Sequence, residues 1–318
     1  RAAEHQFNGG IYRDVQLILT EFCGIDEYGV FVQTTKLERE NEDPNGWNAT
    51  VKIETQVFEQ RSQIDEPLFL ETCILDGETV LAKEISRINM KTEGEIDSEK
   101  KDRNSTSSLN SKTITQQISL SGIQPWSPNS PKLYTVVSRV SYNGILVDCV
   151  LTKFGIRTVR FDKDNGFFLN GEHFAILGAN VHQDHAGWAD AVTRAGIQRD
   201  IRMIKECGMN TIRGSHYPHH PYFAQVCDEE GILFWSEMCF WGTGGDKRDG
   251  FWVASAYPPK KEDQKDFEKS CLDQLEEMIR SQRSHPSIIC WSMCNEVFFT
   301  DAPVKDKAKE LIRKMVER

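Results

Sequence analysis

Two textures of apolar and polar positions follow one another along the chain. Up to about residue 154 the apolar residues fall in short runs rich in Val, Ile, Thr and Phe, at 15–20, 30–37, 49–58, 68–73, 112–120, 133–141 and 145–153. Turn formers separate them, among them Asp43-Pro44-Asn45-Gly46, Asp76-Gly77 and Asn143-Gly144. Within 51–57, Val51, Ile53 and Val57 alternate with polar residues, which places them on one face of a strand. Seven such runs predict a β-sandwich, and no helical period competes with that reading. The charged and polar stretch 86–112 reads as a solvated loop.

Beyond Asn170-Gly171, a two-residue hairpin signal, strands alternate with helices. Strands are expected at 175–178, 211–213, 232–235 and 287–291. Helices are expected at 193–207, 221–230, 262–284 and 303–318. The first carries Ile197, Ile201 and Ile204 on one face and stops at Gly208; the second opens on Pro221 and stops at Gly231. Four βα units in a row leave a doubly wound sheet or a (β/α)8 barrel. No G-x-G-x-x-G follows the first strand, so dinucleotide binding has no support.

Composition narrows the class. The 318 residues, 39% apolar and 27% charged, are ordinary for a globular chain of about two domains. No apolar run approaches the roughly 18 residues of a membrane span. With 48 acidic against 38 basic residues the net charge is −10, which argues against a nucleic-acid partner. Nine scattered cysteines without a C-x-x-C pair read as free thiols rather than a disulfide framework or zinc site. No apolar leader follows Arg1, so a cytoplasmic and a periplasmic location both stay open.

In a barrel, chemistry sits on the loops after the strands. Those loops here are Asn180-Val-His182-Gln-Asp184-His185, then Arg213-Gly-Ser-His216-Tyr217-Pro-His219-His220, then Glu237-Met-Cys-Phe-Trp241, and finally Asn295-Glu296. Polar and aromatic groups therefore converge on one rim. Glu296 ends an apolar strand, where poor solvation would raise its pKa toward the range of a general acid; the alternative is an acid starting the next helix. The five histidines do not form a helical H-x-x-x-H or a closed ligand set for a metal. Ser215 beside His216 lacks the G-x-S-x-G elbow of a serine hydrolase.

Two long segments carry a resemblance. Residues 210–218, Asn-Thr-Ile-Arg-Gly-Ser-His-Tyr-Pro, with 227–235, are similar to the first signature of glycoside hydrolase family 2. Residues 283–296, Arg-Ser-His-Pro through Asn295-Glu296, resemble the second. Residues 178–182 resemble the loop after the family's first barrel strand, and 7–15, including Arg13-Asp14, the end of its N-terminal sugar-binding domain. The resemblance implies an immunoglobulin-like β-sandwich followed by the first half of a (β/α)8 barrel. The expected division is a remnant at 1–20, the sandwich at 21–160 and the half barrel at 161–318.

It further implies retaining hydrolysis of a β-glycoside, with a β-galactoside favoured over a β-glucuronide, by two carboxylates about 5–5.5 Å apart. Glu296 matches the acid/base, and Asn295 the residue that binds the sugar 2-hydroxyl. His182 and His216 match sugar-contacting histidines, Arg213 the arginine that positions the nucleophile, and Glu237 a more structural carboxylate. Trp241 stands where some family β-galactosidases carry a magnesium site, so no metal or other cofactor is carried over; its ring could stack on a sugar or pack the loop. Ser284 and Gly214 depart from the usual Asn and a slightly larger residue. The family's nucleophile lies on a seventh barrel strand, beyond the fourth strand reached here. This implies an excerpt of a longer enzyme, inactive alone and prone to self-association through its open sheet. A carbohydrate-binding fragment without catalysis is the reading of another class.

Overall fold

The computed structural model describes residues 11–40, 46–60, 66–90, 110–241, 257–258, 260–297 and 305–318. It forms two compact units, Val15–Phe174 and Arg1–Asp14 with Ala175–Arg318.

The first unit is a sandwich of two antiparallel sheets. One has the order β1 (Cys23–Arg39), β2 (Trp47–Glu59), β5 (Asn110–Ile123). The other has the order β4 (Thr79–Ile88), β3 (Leu68–Asp76), β6 (Tyr134–Tyr142), β7 (Ile145–Phe154). Inward residues from both sheets make one core, including Val51, Ile53 and Val57 from β2 facing Leu70, Ile74, Val136 and Val140. The hairpin between β6 and β7 turns on Asn143 (φ 50°) and Gly144 (φ 76°), two left-handed residues in succession, as a type I′ turn requires. At the corner between β5 and β6 the buried Tyr134 hydroxyl donates to Gln124 O at 3.1 Å and accepts from Gln124 N at 2.8 Å. That tyrosine corner marks an immunoglobulin-like sandwich.

The seven strands are not the seven expected from sequence. Residues 15–20 form no strand: Leu17 is 85% exposed, and among the described residues no strand pairs with this segment. β4 enters instead. It lies at the edge of its sheet and is exposed over much of its length, so its apolar alternation is too faint to read. The expected loop at 86–112 is shorter at both ends, because β4 runs to Ile88 and β5 begins at Asn110; residues 91–109 lie outside the described residues. The turn at Asp43-Pro44-Asn45 lies outside them also.

A small antiparallel sheet, β8 (Val159–Asp162), β9 (Gly166–Leu169) and β10 (Glu172–His173), closes this unit. The boundary expected at 160/161 falls inside β8, and compactness carries the unit on to Phe174. Asn170 (φ 53°) and Gly171 (φ 83°) make the hairpin between β9 and β10.

The second unit contains β11 (Gly178–Val181), α1 (Arg194–Glu206), β12 (Thr211–Gly214), α2 (Pro221–Glu230), β13 (Leu233–Glu237), α3 (Lys261–Gln282), β14 (Ile288–Ser292) and α4 (Lys305–Glu317). The four strands are parallel and lie side by side in chain order. That order decides between the two candidate architectures, since a doubly wound sheet reverses direction at a switch point and a barrel does not. Thr193 caps α1 by accepting from Gly196 N at 3.1 Å, and Gly231 ends α2 in the left-handed region at φ 72°. Ile197, Ile201, Ile212, Phe223 and Phe234 fill the space between sheet and helices. β11 starts three residues later than the periodicity predicts. Positions 175–177 are held by the Asn210 side chain, which donates to Ala175 O and accepts from Leu177 N, while Ile176 and Leu177 stay exposed. Among the described residues no helix is long and apolar enough to cross a membrane.

Candidate active site

Parallel strands deliver the residues after each strand to one end of the sheet, and there Glu237 forms the hub. Its side chain is 0% exposed. Arg213 holds both of its oxygens, Nε donating to Oε2 at 3.0 Å and Nη2 to Oε1 at 3.1 Å. Ser292 Oγ donates to Oε2 at 2.9 Å. His216 Nδ1 lies 2.7 Å from Oε1, and because a carboxylate only accepts, Nδ1 carries the proton and Nε2 is left as the other ring nitrogen. Glu237 is thus an anchor whose oxygens are already committed. A buried carboxylate needs this many donors to offset its lost hydration.

Arg213 Nη2 also donates to Asn295 Oδ1 at 2.8 Å. This fixes the Asn295 amide with its oxygen toward the guanidinium. Its Nδ2 is buried without a partner among the described residues, a donor waiting for an acceptor. Trp241 bridges Asn295 through the backbone, and its ring lies 5.0 Å from that of His216. The His182 ring meets His216 edge-on at 5.0 Å. Arg213, His216, Glu237, Asn295, Trp241 and His182 therefore form one constellation. Beside His182 a cavity of about 550 Å³ opens, lined in part by Asp184, His185, Trp188 and Arg199, with Trp188 61% exposed.

Glu296 adjoins this constellation in the chain, but the expectation that it is withdrawn from water is corrected by the structure. Glu296 is exposed, because β14 is the edge of the sheet and no described strand covers its far side. The helix-start alternative falls on 298–304, which lie outside the described residues. Glu296 has φ 52°, a left-handed conformation that costs a residue with a Cβ about 1–3 kcal/mol and is concentrated at functional sites.

Ser292 and the partners of several rim residues escape a reading of the sequence. Ser292 stands opposite Glu237 in the β13–β14 register. The Tyr217 hydroxyl accepts from Gln183 N at 3.0 Å, and burial pushes its pKa up to about 12. His219 is buried under the rim, where Nε2 donates to Ser215 O at 3.2 Å and the ring packs on Phe223 at 4.8 Å. Desolvation lowers its pKa to about 3. Its partner Ser215 O belongs to the cis Ser215–His216 peptide. Register and backbone course decide all of these, and neither is written in composition or spacing. Among the described residues no group of three or more His, Cys, Asp or Glu is arranged to hold a metal.

Two expected outcomes follow from this geometry. A Cβ on Gly214 would lie 2.7 Å from Phe234 Cε2 and 3.2 Å from His219 Cδ2, which accounts for glycine where a larger residue is usual. Gly214→Ser should destabilise the unit by about 1–3 kcal/mol in urea unfolding. His219 stays neutral when folded and takes a proton when unfolded below about pH 6.5. Folding stability should therefore be fully present above pH 6.5 and decline as the pH falls toward 3. His219→Leu should flatten the slope of stability against pH in that window by about 1.4 kcal/mol per pH unit. An unchanged slope would show that His219 is not held neutral.

Comparison with known proteins gives the arrangement a lineage. Residues 160–317 match the TIM barrel domain of the glycosyl hydrolases of family 2, and residues 41–157 match a second model of glycosyl hydrolases family 2. A beta-glucuronidase of Bacteroides fragilis is 30% identical over 297 residues, which cover 92% of this chain and 38% of that protein. A beta-galactosidase of Bacteroides ovatus is 28% identical over 91% of this chain and 30% of its own length. The solved structure of Bacteroides uniformis beta-glucuronidase 2, covalently bound to cyclophellitol-6-carboxylate aziridine, superposes with a TM-score of 0.78 at 25% identity, over 99% of this chain and 35% of that one. The chain thus spans little more than a third of these relatives at most. With an immunoglobulin-like sandwich leading into sequential βα units, and family 2 domains matched across both, the chain belongs to the glycosyl hydrolases of family 2.

Proposed function

We propose that the full-length protein is a retaining β-glycosidase acting on terminal β-galactosides, with Glu296 as acid/base. The observation that carries this reading is the Asn295 amide, locked by Arg213 with its Nδ2 donor unpartnered among the described residues and with Glu296 next in the chain. A sugar hydroxyl set there accepts from Nδ2, which places the neighbouring glycosidic oxygen toward Glu296. Glu296 protonates that oxygen while a second carboxylate attacks the anomeric carbon; it then takes a proton from the water that hydrolyses the glycosyl-enzyme. His182 and His216 contact sugar hydroxyls, and Trp241 offers an aromatic face to the ring. Arg213 fixes Glu237 and Asn295 on one side and faces the nucleophile on the other. The nucleophile is assigned to no residue among 1–318. The two-carboxylate chemistry calls for no cofactor or metal.

A second substrate reading, a β-glucuronide, is favoured by the Bacteroides fragilis relative and by the capture of a cyclophellitol-6-carboxylate aziridine in the Bacteroides uniformis enzyme. Covalent capture in that relative also supports a covalent intermediate here. Assay of the full-length protein on nitrophenyl β-galactoside and nitrophenyl β-glucuronide separates the two. Turnover of the galactoside with a β-configured first product is expected. Turnover of the glucuronide alone would move the assignment to the second reading, and turnover of neither would refute both. The 318-residue chain assayed by itself is expected to hydrolyse neither.

A further inference from the structure

Arg13 arrives from the start of the chain, far in sequence from every loop of the candidate site. Its Nη2 nevertheless donates to two of those loops at once, to Gln183 Oε1 at 3.1 Å and to Pro218 O at 2.7 Å. Gln183 directly follows His182, and Pro218 lies two residues after His216. The same two loops are joined once more where Gln183 N donates to Tyr217 Oη at 3.0 Å. From beneath, His219 Nε2 holds Ser215 O, on the other side of His216. The residues flanking both histidines are therefore fastened, and the two rings stand 5.0 Å apart. Arg13 Nε is itself buried. A guanidinium suits this position because its planar fork keeps a fixed geometry between two acceptors, which a single flexible ammonium does not.

We propose that Arg13 is a positioning residue for the reaction: a strap that sets the His182–His216 pair by holding the loops after β11 and β12 together. The proposal rests on the assignment of those histidines to sugar binding. Its effect falls on recognition, since Arg13 touches the backbone and side chain beside the histidines and not the acid/base. Its positive charge also bears on the ring beneath, being one of the secondary causes that lower the pKa of His219 and His220, after burial.

The test uses the full-length protein and its Arg13→Ala and Arg13→Lys variants, assayed well below their unfolding temperatures. A charge-assisted hydrogen bond contributes about 1.5–3 kcal/mol, so KM should rise about tenfold or more in Arg13→Ala while kcat changes less. Arg13→Lys should recover only part of the loss. Millimolar guanidinium should lower the KM of Arg13→Ala, whereas methylammonium at the same concentration should not. A lowered unfolding temperature with unchanged KM, or an equal fall in kcat with KM unaltered, would overturn the positioning role. Hydrogen exchange separates this proposal from the functional reading on which it rests. Faster exchange in both 180–185 and 215–220 of Arg13→Ala is expected whether or not the wild-type protein turns over a glycoside, and unaltered exchange there would refute the strap itself.

Discussion

Glu296→Gln in the full-length protein is expected to lower kcat about 10²–10⁴-fold on a β-glycoside with a poorly acidic leaving group. The amide keeps the size of the side chain and its place after Asn295 but has no proton to give the departing oxygen. A leaving group acidic enough to depart as its anion needs no such proton, so the first step should be largely preserved with a dinitrophenyl glycoside. The glycosyl-enzyme would then accumulate, because the same residue no longer activates water. Azide, a nucleophile that needs no base, should restore turnover and yield the β-glycosyl azide. Equal losses on both leaving groups, without rescue by azide, would remove Glu296 from the acid/base role. The exposure of Glu296 at the edge of β14 makes the measurement on the whole protein decisive, since what surrounds the carboxyl sets its acidity.

The second large effect is on Arg213. Its guanidinium makes two hydrogen bonds to Glu237 and one to Asn295, and Glu237 has no water to turn to. Arg213→Met leaves a buried carboxylate facing, among the described residues, His216 and Ser292, and a loss of about 3–5 kcal/mol of stability is expected by urea unfolding. Arg213→Lys should recover little, because an ammonium cannot span both carboxylate oxygens and the amide. Removing both partners together, Arg213→Met with Glu237→Leu, should cost less stability than Arg213→Met alone, since no uncompensated charge stays behind. Activity should remain low in that pair, because Asn295 has lost the contact that orients its amide. A double variant as unstable as the single one would show that the ion pair is not the source of the loss.

Much of the candidate site was legible because its residues sit next to strand ends that announce themselves. Arg213, Glu237 and Asn295-Glu296 each follow a short apolar run, the first two of these runs set off by the helix stops Gly208 and Gly231, and parallel strands carry such residues to the same end. The resemblance then supplied roles that spacing alone left open. Ser292 stayed hidden, since only the register of β14 against β13 sets it opposite Glu237. Arg13 is hidden too, although the resemblance takes in its segment, because a contact across some 170 residues leaves no local trace. Among the strands, 15–20 misled for a simple reason: β propensity needs a partner to satisfy the backbone, and the described residues offer none.

The sequence by itself determined the succession of a β half and a βα half, and which residues stand at the ends of the parallel strands, because hydrophobic period and turn residues act locally. Only the tertiary structure decided that the parallel strands keep chain order, that Glu237 is a spent anchor while Asn295 retains an open donor, and that Glu296 faces solvent. Those are outcomes of register and of which neighbours reach a group first. Hydrogen bonds and desolvation act through space, over distances the spacing of a chain does not encode.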